Sequence, residues 1–189
     1  MAAVLVSGAA GQVAEVAAAL RSRGAEVTEV TDLDRVPAVA AEAGSGAFDS
    51  YVQLPATFAV TGRSAIERVH HFYADGVLAR FPALAAALTA MTPSSRVTFV
   101  LGHLPVEVAT QDDRDARRAL VRVLSYAARA DSSDGDLAVR ILDIGSTADE
   151  IALVALGRDP AREGLLDSLA GMSYADLRVE LLGLVSIET

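Results

Sequence analysis

Three small residues, Gly8, Gly11 and Ala14, are spaced G-x-x-G-x-x-A within the run V-L-V-S-G-A-A-G-Q-V-A-E-V of residues 4–16. An apolar, strand-like run precedes them, and Val13, Val16, Ala17 and Leu20 follow at helical spacing until Gly24 stops the pattern. That placement suits a diphosphate. Positions without bulky side chains let backbone N–H groups approach an anion closely, and a helix N-terminus adds a partial positive charge. Ser7, Gly8, Gly11, Gln12 and Val13 are therefore the candidate contacts for NAD or NADP; the plainer alternative is a tight strand-to-helix turn that binds nothing. Asp32, at the end of the next strand-like run, stands where a carboxylate accepts hydrogen bonds from an adenosine ribose. An ordinary helix N-cap places the same residue type there.

Acid/base chemistry has one weak candidate, His103, which follows the Gly102 turn and is close in sequence to Asp112, Asp113 and Asp115. A His–Asp pair within hydrogen-bond reach can move protons, although acids in a first helical turn serve the helix dipole without any catalytic role. His70 and His71 are adjacent on a helix and point apart, which argues against a shared metal. The chain has no cysteine, so disulfides, thiolate catalysis and Cys-ligated metals are excluded. All sixteen basic residues are arginine, and a phosphate loop that ends in lysine is excluded with them. A net charge of −9 and a pI near 4.7 repel nucleic-acid phosphates and anionic lipid.

The elements that must position these residues alternate along the chain. Strands are expected at residues 3–7, 26–31, 48–54, 96–101, 137–144 and 177–187. Helices are expected after Gly11, near Pro37, over 64–91 with a kink at Pro82, over 113–130, after the Ser146–Thr147 cap and over 160–169. In the long helix Ile66, Val69, Tyr73, Val77, Phe81, Leu84 and Leu88 form one stripe. Strands as apolar as V-T-F-V-L are buried on both faces, so the alternation predicts one α/β domain over residues 1–189, a Rossmann-like doubly wound parallel sheet. Ligands then belong at the carboxyl ends of the strands. With no apolar run of membrane length and no basic leader, a cytoplasmic protein is expected.

In this order of segments the sequence resembles the short-chain dehydrogenase/reductases over roughly residues 3–145, with S-G-A-A-G-Q-V-A, T-D-L-D-R-V-P-A-V, F-D-S-Y-V-Q-L-P-A, R-V-T-F-V-L-G and L-A-V-R-I-L-D-I-G as the corresponding stretches. The resemblance implies a nicotinamide cofactor, and the departures from it are informative. The family's N-N-A-G turn falls on Gln53, Leu54, Pro55 and Ala56, and the strand-end serine falls on Gly102. Its Tyr-x-x-x-Lys pair falls near Asp113 and Arg117, and its helix asparagine near Tyr73. The Asn-Ser-Tyr-Lys set is thus missing, and the fold is shortened between Gly24 and Asp32. Family members commonly dimerise through the helices corresponding to 64–91 and 113–130, whose apolar positions here exceed what covering a sheet requires. The expected role is a non-catalytic subunit paired with a competent relative; the alternatives are an NAD(P)-sensing regulator and an enzyme of altered acid/base chemistry.

Overall fold

A computed structural model describes residues 1–55, 61–102, 111–132 and 136–161 of the chain. Met1–Gly157 forms one compact unit; Arg158–Thr189 groups separately, and only its first residues, 158–161, are described. The strand expected at 177–187 and most of the helix expected at 160–169 lie outside the described residues.

Five parallel strands, β1 (Ala3–Ser7), β2 (Glu26–Val30), β3 (Phe48–Gln53), β4 (Met91–Val100) and β5 (Ala138–Leu142), pair in the order β2-β1-β3-β4-β5. Deleting the outermost strand from the six-stranded dinucleotide-binding order 3-2-1-4-5-6 and renumbering gives this arrangement: β2 fills the stretch between Gly24 and Asp32, and the described sheet lacks the edge strand that would follow it while keeping the switch point. The strand order reverses between β1 and β3, and ligand crevices form beyond the carboxyl ends at such a reversal.

Period-2 alternation divides the core. Val4, Val6, Val52 and Leu54 face α1 (Ala10–Ser22) and α6 (Ala148–Ala155), which present Val13, Val16 and Leu20 and Ile151, Ala152 and Ala155 at helical spacing. Leu5, Tyr51, Val97 and Phe99 face α2 (Val36–Ala43), α4 (Arg80–Thr89) and α5 (Gln111–Asp131). Capping follows the sequence signal: Thr147 accepts from the Glu150 N–H while the Glu150 carboxylate accepts from the Thr147 N–H, a reciprocal capping box that starts α6.

The single long helix expected over 64–91 is three segments. α3 (Ala65–His71) leads into a π-helical stretch, Phe72–Leu78, and α4 begins only at Arg80. Gly76 within the π-helical stretch weakens the regular ladder, and Pro82 sits as the third residue of α4, where its missing N–H has no intrahelical partner to lose. The stripe divides accordingly: Leu84 is buried and Phe81 and Leu88 half-buried on the core, whereas Ile66, Val69 and Tyr73 are exposed. β4 also starts earlier than expected. Phe48 pairs with Met91 and Ser50 with Arg96, so two steps along β3 are matched by five along β4, and the excess residues bulge at the amino edge of the sheet.

Candidate functional site

The glycine turn is built from both neighbouring strands. The Gly8 N–H donates to Val30 O at 3.1 Å, the Ala9 N–H to Pro55 O at 2.9 Å and the Leu54 N–H to Ser7 O at 2.8 Å. Gly8 has a φ of 143° and a Cβ placed there would lie 2.6 Å from Leu54 Cβ, so the fold itself requires glycine. Gly11 differs. It lies in the first turn of α1, is exposed, and a Cβ there would meet nothing within 4 Å. Glycine in a helix costs roughly 1 kcal/mol relative to alanine, and no contact among the described residues accounts for it.

No side chain caps α1 and no acid lies in its first turn. The N–H groups of Ala10, Gly11 and Gln12 precede the first intrahelical bond, Val13 N–H to Ala9 O at 2.9 Å, and are left pointing out of the helix. Uncapped donors beside a side-chain-free position fit the diphosphate of a dinucleotide, which Ala10, Gly11 and Gln12 would hold. Val13 contributes a buried side chain to the core. Asp32 caps the 3-10 turn Leu33–Arg35, its Oδ1 accepting from the Asp34 N–H at 3.0 Å, and it is exposed at the end of β2, the strand whose Val30 carbonyl holds the glycine turn. A narrow cleft of about 70 Å³ runs along the carboxyl edge between Gln12, Glu15 and Val16 of α1, Leu54, Leu101, Ile144 and Ser146. Drug-sized sites enclose roughly 300–1,000 Å³, so a dinucleotide would lie mostly over the open rim.

Beneath that rim runs a buried polar chain. Ser7 Oγ lies 2.8 Å from Tyr51 Oη, and Gln53 Nε2 donates to Tyr51 Oη at 3.1 Å and to Arg80 O at 3.1 Å. Arg80 Nε donates to Gln53 Oε1 at 2.8 Å, and its Nη2 to Gln53 O at 3.1 Å and Val100 O at 3.4 Å. Arg80 is 5% exposed, and among the described residues no carboxylate pairs with it. Desolvation lowers its guanidinium from the ordinary arginine range to about 10, opposed by Tyr51. Burial pushes the Tyr51 phenol above its ordinary value, against the pull of Ser7, Gln53 and Arg80. Ser7 therefore spends its hydroxyl on the core, and the strand ends of β1, β3 and β4 are bound together from below.

Of the positions matched to the dehydrogenase relay, two are described with their side chains. Tyr73 is exposed on the π-helical stretch. Gly102 is half-buried against Pro55, and a Cβ there would lie 3.2 Å from Pro55 Cβ. Asp113 and Arg117 lie on α5, with their side chains, like His103, outside the described residues. His71 Nδ1 accepts from the Thr61 N–H at 3.1 Å, and no metal-holding group of acids and histidines occurs among the described residues. The Ser7–Tyr51–Gln53–Arg80 chain escaped the sequence reading. Its signal is an arginine inside an otherwise apolar helical stretch, with Tyr51 and Gln53 two apart on one strand face.

No family model matches the sequence, and no curated protein matches it. Solved structures do match. A putative short-chain alcohol dehydrogenase from Burkholderia multivorans superposes with a TM-score of 0.61 at 13% identity, over 84% of this chain and 92% of that one. A Serratia marcescens short-chain dehydrogenase/reductase gives 0.60 at 18%, over 85% and 90%. BdcA in complex with NADPH gives 0.56 at 16%, over 85% and 88%. At these identities the likeness is one of fold: the chain has a shortened, Rossmann-like fold of the short-chain dehydrogenase/reductase kind.

Proposed function

We propose that this chain is a non-catalytic subunit of short-chain dehydrogenase/reductase type that pairs with a catalytically competent relative as its structural or regulatory partner. One observation carries the reading: where a hydride-transferring enzyme presents a serine hydroxyl beside an acidic phenol, Gly102 packs against Pro55. The tyrosine in the described sheet is Tyr51, buried and shifted away from acidity. An arginine in place of the relay lysine stays protonated and cannot substitute simply for a compact amine. The pairing rests on apolar surface that the described unit leaves uncovered. α3 buries none of its residues, Ile66 is 83% exposed, and on α5 Val123 and Tyr126 face outward, Tyr126 at 74%. Exposed apolar side chains grouped on two helices favour association through 64–91 and 113–130.

The test is turnover. The purified chain, mixed with NADH or NADPH and a panel of carbonyl substrates, is expected to leave the reduced cofactor unoxidised; rates of roughly 1–10³ s⁻¹ would end the proposal. A second reading, a regulator that senses NAD or NADP, is favoured by the uncapped N-terminus of α1 and the empty surroundings of Gly11. BdcA, similar in fold, was solved with NADPH. Here Gly11, Gln12 and Asp32 would hold the dinucleotide, which supplies a hydride when it serves chemistry. Calorimetry with oxidised and reduced cofactors separates the readings, because a sensor binds at least one form measurably.

A further inference from the structure

The amino edge of the sheet, opposite the glycine turn, carries a second and larger cleft of about 240 Å³. Three helices end around it. Ser45 and Gly46 follow the C-cap of α2, Leu88 and Thr89 close α4, and Asp131 and Ser132 close α5. A helix C-terminus carries a partial negative charge; at α4 the Ala86, Ala87 and Ala90 carbonyls already accept from Thr89 Oγ1 and from the Ala90 and Phe48 N–H groups, which leaves the end of α2 the more open of the two. The last turns of α2 and α4 hold no basic residue, and the Arg129 of α5 is exposed and does not line the cleft. Asp131 adds a full negative charge, and none of the described lining residues is basic. The wall opposite is the β4 bulge, which turns Ser95 inward: it is 2% exposed, lines the cleft, and its hydroxyl makes no hydrogen bond to a described residue. Bulges that re-aim a side chain are over-represented beside functional sites.

We propose that this cleft binds a small organic ammonium bearing a hydroxyl group. Asp131 and the C-terminus of α2 take the cationic head, Ser95 the hydroxyl, and Met91 and Leu137 the carbon chain. An anion would face uncompensated negative charge, and a neutral polyol would lack the positive charge that the dipoles favour. The site is independent of the glycine turn.

Ethanolamine, with ethylene glycol and glycolate as neutral and anionic counterparts, is titrated into the full chain while backbone amide resonances are followed. Ethanolamine is expected to shift Gly46, Ser95 and Ser132 saturably, several-fold more tightly than ethylene glycol, with glycolate silent. Asp131→Asn, a change at an exposed position, is expected to weaken ethanolamine about two- to fivefold, the range of a partly solvated ion pair. Ser95→Ala is expected to weaken it while leaving the spectrum folded. Equal binding of all three probes, shifts spread over the acidic surface, or an Asp131→Asn variant that binds unchanged would overturn the proposal.

Discussion

The two edges of one sheet are finished in opposite ways. At the carboxyl edge, Leu54 is wedged beneath Gly8, Pro55 lies against Gly102, and Arg80 holds the last carbonyls of β3 and β4 from below. At the amino edge, β4 bulges away and leaves a cleft. A carbonyl reductase needs the first edge open over its strand ends, where hydroxyl and phenol meet substrate. This chain keeps exposed there the helix terminus that a cofactor phosphate would use, and packs shut the positions beside it. An exposed helix terminus and closed strand ends therefore share one edge of the sheet.

That contrast is open to attack by substitution. The largest effect belongs to Gly8→Ala, which combines a strained φ with a contact no core relaxes easily; a loss of about 3 kcal/mol in denaturant unfolding is expected. Arg80→Met comes next. It removes the buried charge but orphans Gln53 Oε1, Gln53 O and Val100 O, for a loss of about 2 kcal/mol; an unchanged midpoint would mean that the strand ends hold themselves.

Tyr51→Phe is expected to cost about 1 kcal/mol at neutral pH and to alter the alkaline limb of the stability profile. The folded phenol titrates above its unfolded value of 10.0, so its contribution is complete below pH 10 and is lost as pH rises through the folded value. Arg80, lowered to about 10, acts oppositely: charging the buried guanidinium penalises the fold below about 10, and that penalty fades as pH rises toward the ordinary arginine range. In Tyr51→Phe only the arginine's rise remains of this pair, which urea unfolding across pH 9–11 detects. The smallest change is a gain: Gly11→Ala should stabilise the free chain by about 0.5–1 kcal/mol, because the methyl meets open space, while weakening any dinucleotide that uses that space.

Much of the fold was legible because its signals are local. Apolar runs such as V-L-V and V-T-F-V fix strands by burial on both faces, and S-T-A-D-E writes its own capping box. The long helix was misjudged because Ile66, Val69 and Tyr73 continue the spacing of Leu84 and Leu88 without sharing their burial; periodicity records a stripe but not what covers it. The glycine turn was legible as a pattern, yet the different reasons for Gly8 and Gly11 are visible only once Leu54 is in place. The Arg80 chain joins residues up to 73 positions apart, from Ser7 to Arg80, and no spacing rule reaches that far.

The measurement that bears most directly on the proposed role is a native mass spectrum of the protein isolated gently from its own host. The account predicts a hetero-oligomer with a second chain of related size that carries the tyrosine and lysine missing here. A homo-oligomer or a monomer, with no such companion, would contradict it.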